Sequence, residues 1–89
     1  MKIVVTIIGQ DRVGIVAKVS TALAECNINV MEINQNITRG LFNMVMVADM
    51  EGATIQLKDL QQKLSELGQS MGLEIKAQHE DIFNVMHRI

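Results

Sequence analysis

Proline, tryptophan and tyrosine are absent from this chain, aromatics are reduced to two phenylalanines, and there is a single cysteine. With no second cysteine there is no internal disulfide, and nothing ties the chain to an oxidising compartment. A metal-transfer domain of the CxxC type is excluded for the same reason. Eight basic residues against ten acidic ones give a net charge of −2, with no basic run. That balance lacks the positive footprint that phosphate backbones require. The scarcity of aromatics removes the stacking platform on which sheet faces hold single-stranded RNA. No apolar run approaches the roughly 18–20 residues of a membrane span. Residues 1–8 are apolar but short, lack a small-residue cleavage site, and read as a strand rather than a signal peptide. No Ser-His-Asp set, activated cysteine, carboxylate pair or phosphate loop can be assembled. The expectation is a soluble, cytoplasmic protein that is not an enzyme, carries no cofactor, and binds neither nucleic acid nor membrane.

What is present is a core. Apolar residues make up 48% of 89 positions, enough for one domain and too few residues for two. Val, Ile, Leu and seven Met must build it, and Met suits both irregular interiors and surfaces that accept partners. The reading is a single domain over 1–89, with its core in 2–80 and an apolar tail in 81–89.

The hydrophobic period changes along the chain in a readable way. Residues 2–8 are β-branched and apolar on both parities, as in a central strand, and Gly9-Gln10-Asp11 is read as the break that ends it. Over 13–26, Ile15, Val16, Val19, Ala22, Leu23 and Cys26 share one helical face, with Lys18, Thr21 and Glu25 opposite. Asp11 is a candidate N-cap, and Asn27 suits the left-handed stop. In 29–38, Met31, Ile33 and Ile37 alternate with Glu32, Asn34, Asn36 and Thr38, which predicts a strand with one buried and one wet face. Arg39-Gly40 predicts a tight hairpin. Residues 41–50 are again apolar on both parities. After a loop with Thr54 as candidate cap, Leu57, Leu60, Leu64, Leu67 and Met71 outline a second helix whose end Gly68 and Gly72 loosen. Residues 73–80 alternate as a strand, and the tail predicts one or two helical turns packed down on the domain.

The order β-α-β-β-α-β with right-handed crossovers predicts an α+β, ferredoxin-like sandwich: a four-stranded antiparallel sheet with both helices on one face. The first and third strands would be central, so the other sheet face has an apolar middle. Leaving that middle in water is unfavourable. Either the tail or a second subunit covers it, and a homodimer with the tail contributing is expected.

The turn over 9–14 carries the most information. An aspartate and a glycine at the start of a helix stand where backbone N–H groups are unpaired and the dipole is positive. Such a place attracts a carboxylate, while Asp11 attracts an ammonium; together these are the two ends of an amino acid. The alternative is that Asp11 only caps the helix and Gly14 only permits close packing.

Asp11-Arg12-Val13-Gly14-Ile15-Val16, an amphipathic helix and Cys26-Asn27-Ile28-Asn29-Val30 resemble the ACT domain, in particular its free-standing UPF0237 proteins. The resemblance covers roughly 2–80. It implies a βαββαβ regulatory domain that binds amino acids at subunit interfaces. Carried over by position, it makes Asp11, Gly14 with the backbone of Val13 and Ile15, and Asn29 ligand-binding residues. Two positions depart from the family pattern: Val13 stands where Pro is frequent, and Gly9 where some members place a polar side chain. Arg12 is a further candidate for a ligand carboxylate or a partner's acid, with plain surface charge as the alternative.

Other residues have two readings each. Asn34, Gln35 and Asn36 line a polar groove beside the turn or form a solvated edge. Cys26 reads as a buried, inert thiol. His79 and His87 lie near Glu80 and Asp81, in a spacing that fits no common zinc pattern. Met44, Met46 and Met50 are core or dimer interface rather than a cofactor site. The functional expectation is a regulatory module binding a small molecule, an amino acid by class, as a homodimer, with a regulated enzyme or other protein as a further partner. The alternative is a protein-interaction module without a small ligand.

Overall fold

The computed structural model describes residues 1–86 and contains β1 (Lys2–Gln10), α1 (Ile15–Glu25), β2 (Asn29–Thr38), β3 (Leu41–Asp49), α2 (Leu57–Met71), β4 (Leu73–His79) and α3 (Glu80–Met86). The strands form one antiparallel sheet in the order β2-β3-β1-β4. The two strands that are apolar on both parities thus lie in the centre, and the fold is the βαββαβ sandwich. Ile3, Val5 and Ile7 of β1, Phe42, Met44 and Met46 of β3, and Ile75 and Ala77 of β4 meet Ile15, Val19, Leu23, Leu60 and Leu64 of the helices in one buried core. The methionines of β3 are core residues. Arg39 and Gly40 both take positive φ (55° and 79°), as the hairpin between β2 and β3 demands. Asn27 takes φ 56° and ends α1 as expected.

Three local expectations fail, each for a tertiary reason. β1 does not stop at Ile8 but runs through Gly9 to Gln10. At Gly9 a Cβ would displace the end of the Leu73 side chain, 2.4 Å away at Cδ2, and press on the Gly72 carbonyl oxygen at 3.2 Å. Thr54 does not cap α2; the helix starts after Gln56 with no side-chain cap. Gly68 does not loosen α2 but lies inside it, buried against β4, where a Cβ would stand 2.6 Å from the Leu73 carbonyl oxygen. Gly72, at φ 69°, is the residue that closes the helix.

β2 differs more. A bulge between Val30 and Glu32 makes Met31 the extra residue. Only Val30 of the strand is half-buried. Ile33 and Ile37, expected inside, are 51% and 48% exposed. They pair with Met46 and Phe42 and so have the right parity, but β2 is an edge strand and the helices do not reach over it.

The tail forms the short helix α3, which packs against β1 and β4. Its Phe83 is half-buried over the sheet face opposite α1 and α2, beside Thr6, Ile8 and Val45. It covers part of that face and leaves Ile82 and Val85 exposed.

Candidate functional site

The 9–14 turn is built by long-range contacts rather than by local capping. The Asp11 N–H donates to the Gly40 carbonyl at 2.8 Å, which pins the turn to the β2–β3 hairpin. Gly14 precedes α1 at φ 94°, a conformation that side chains rarely tolerate. No atom of another segment would lie within 4 Å of a Cβ there, so close internal packing is not the reason for this glycine. The first helical bond runs from the Lys18 N–H to the Gly14 carbonyl at 2.9 Å. No side chain caps α1, and its first turn holds no acidic residue. The amides of residues 15–17 therefore point out of an uncapped, electropositive helix end. The cap role of Asp11 is not realised: the residue is exposed, and no side chain makes a cap hydrogen bond to α1.

The turn brings five of the six candidate residues together by sequence adjacency. Arg12 donates from Nη1 to the Met71 carbonyl at 3.0 Å, its one side-chain hydrogen bond among the described residues. Val13 is 99% exposed. Ile15 is buried in the core, so only its amide can meet a ligand. Asn29 is elsewhere: it pairs with Asp49, in the row of Lys2, whereas the turn leaves the sheet after Gln10. Those rows lie about 26 Å apart at the rise of a strand. Within one chain the structure does not join Asn29 to Asp11.

Asn34, Gln35 and Asn36 are exposed, and the depression that Asn34 and Asn36 line holds no described residue of 9–14. Asn34 and Asn36 instead line a shallow depression of about 590 Å3 on the open sheet face with Glu32, Asn43, Val45 and Val47. Asn43 was not singled out by sequence, because one polar residue in an apolar strand carries no periodic signal. Cys26 is buried. His79 Nδ1 accepts from the Asp81 N–H at 3.1 Å, and among the described residues no group of three or more His, Cys, Asp or Glu side chains is placed to hold a metal ion. His87 lies outside the described residues. No helix described is long and apolar enough to cross a membrane.

The family model described as the ACT domain matches residues 1–78. A UPF0237 protein of Methanocaldococcus jannaschii is 46% identical over 88 residues, covering 99% of this chain and 98% of its own. Among solved structures, an ACT domain protein from Streptococcus pneumoniae superposes with a TM-score of 0.82 at 31% identity, covering 93% of each chain. The regulatory subunit of aspartate kinase from Thermus thermophilus, in its ligand-free form, superposes with a TM-score of 0.69 at 25% identity, over 89% of this chain and 51% of that one.

Proposed function

The chain belongs to the ACT domain family, within its UPF0237 proteins, and from that premise we propose that it is a regulatory module that binds an amino acid as a homodimer. ACT domains are typically small-molecule-binding regulatory modules. The observation that carries the reading is the uncapped α1 N-terminus, with the exposed Asp11 three residues before Gly14 in the same turn. The amides of residues 15–17 receive the effector's carboxylate, Asp11 its ammonium, and the remaining donors of Arg12 assist. The exposed backbone of Val13 and Gly14 forms the rim. Asn29 joins from a second copy. β2 is an edge strand that exposes Met31, Ile33 and Ile37, and a two-fold axis sets the two β2 edges antiparallel. The start of one β2 then lies beside the end of the other, which brings a second copy's Asn29 towards the turn pinned at Gly40. The aspartate kinase regulatory subunit suggests the kind of protein such a module serves.

Thermal-shift measurement against each of the twenty amino acids tests the effector. A binder at a hundred times its Kd should add about 2.7 kcal/mol, a rise in Tm of roughly 10 °C or more for a domain this small. Asp11→Ala should abolish the rise without lowering the Tm of the unliganded protein. No response to any amino acid would remove the reading. For the dimer, Ile33→Lys puts a charge on the pairing edge and should weaken association at least roughly tenfold by sedimentation equilibrium. An unchanged dimer would move the interface away from β2.

A second reading has its own observation: Val13 offers a nearly fully exposed apolar side chain at the tip of the turn. As a docking knob for another protein it needs no small ligand. Val13→Ser then abolishes partner capture while amino acids remain without effect.

A further inference from the structure

The β1–α1 turn is held from two sides. On one, Asp11 is bonded to Gly40. On the other, the Arg12 guanidinium reaches the carbonyl of Met71, a partly buried bond between residues 59 apart in sequence. Met71 is the last residue of α2. The terminal carbonyls of a helix lack helical partners and form the negative end of its dipole. The last turn of α2 contains no basic residue of its own, so Arg12 supplies that cation from a different element. Gly72 closes α2 with its N–H on the Gly68 carbonyl, and β4 begins at the next residue. The backbone of Gly9 lies against the same place, close enough that a Cβ would collide with Leu73 and crowd the Gly72 carbonyl. Gly9 and Arg12 thus interlock with Met71, Gly72 and Leu73. Nothing inside the turn substitutes for this hold: Gly14 is conformationally permissive, and no side chain caps α1.

We propose that Arg12 is the positioning residue of the turn, which it fixes to the C-terminus of α2 so that the turn and the α2–β4 junction move as one unit. An effector that orders the turn is therefore felt at Gly72 and Leu73. The linkage stands on the geometry alone; its regulatory meaning rests on the effector reading above.

Amide hydrogen exchange of the unliganded full chain, followed by NMR, tests the linkage. Arg12→Met keeps the apolar stem and removes every donor, while Arg12→Lys keeps one ammonium. Arg12→Met should speed exchange of the Asp11, Lys18 and Gly72 amides together, by roughly three- to tenfold, as expected for loss of one typical intramolecular hydrogen bond. The Asn27 amide, bonded to Ala24 at the far end of α1, should not change, and Arg12→Lys should restore part of the protection at Gly72. Acceleration at Gly72 alone would reduce Arg12 to an isolated helix cap. Equal acceleration at Asn27, or none anywhere, would overturn the proposal too. Addition of an equimolar pool of the twenty amino acids separates the two readings. In the wild type it should slow exchange at Lys18 and Gly72 together; in Arg12→Met, with the pool raised until slowing at Lys18 reaches its limit so that weaker binding without the Arg12 donors is offset, Gly72 should not follow. Equal slowing at Gly72 in both proteins overturns the linkage through Arg12. No slowing in the wild type counts against the amino-acid effector and leaves the unliganded comparison standing.

Discussion

Phe42→Ala is expected to lower stability by about 3–5 kcal/mol. Phe42 is 2% exposed and is the largest fully buried side chain among the described residues. Its neighbour across β1 is Gly9, which has no side chain to move into a vacancy. On the far side of Gly9, Leu73 already occupies the position a Cβ would take. A cavity left by the ring therefore has little to collapse into, and the cost should fall in the upper part of the range. For a domain of this length total stability is of order 5–10 kcal/mol, so the variant should approach the unfolding threshold. Urea titration followed by circular dichroism should show the midpoint falling with an unchanged slope. A loss below about 1 kcal/mol would mean that the ring is not packed as described. Phe42→Leu, which keeps more of the volume, should cost clearly less.

Gly68→Ala is expected to destabilise the protein by about 1–3 kcal/mol, against the sign that helix propensity alone assigns. In an ordinary helix interior the same change stabilises by about 0.8–1.0 kcal/mol. Here the added methyl would stand 2.6 Å from the Leu73 carbonyl oxygen and 3.2 Å from Ile75 Cγ1. The first of these atoms is backbone, held in β4 by its pairing with β1, and cannot rotate aside. α2 must instead lift from the sheet along its buried face, where Leu64 and Met71 flank the site. Thermal or urea unfolding gives the sign directly, and a stabilised variant would refute the close approach of α2 to β4.

Much of the architecture was legible locally. Period two over 29–38 and 73–80, period 3.6 over 15–26 and 57–71, and the Arg39-Gly40 hairpin each reflect which side of a short segment meets water. Chain order with right-handed crossovers then leaves little choice of topology, so the central places of β1 and β3 followed from their apolar character on both parities. The position of the turn was equally readable, as was the family resemblance that it carries.

Other features depend on what stands opposite. Ile33 and Ile37 have the parity of core residues, yet periodicity cannot say how far two helices extend over an edge strand. Gly9 and Gly68 have the local appearance of a break and a loosened end. Gly68 is instead where α2 approaches the β4 backbone too closely for a side chain, and Gly9 is where β1 lies tight against Gly72 and Leu73. Asp11 is a residue type that caps helices, but Gly14 is the residue that precedes α1, and Asp11 is instead tied by its N–H to Gly40. Asn29 was associated with Asp11 by family pattern, and the antiparallel sheet sets them at opposite ends of one subunit. The amino-acid sequence by itself determined the elements, their order and the location of the turn, because these follow from the local exchange of apolar surface with water. Only the tertiary structure decided what holds that turn. The hydrogen bond from Arg12 to Met71 joins segments 59 residues apart, and no local pattern of side chains encodes a contact at that separation.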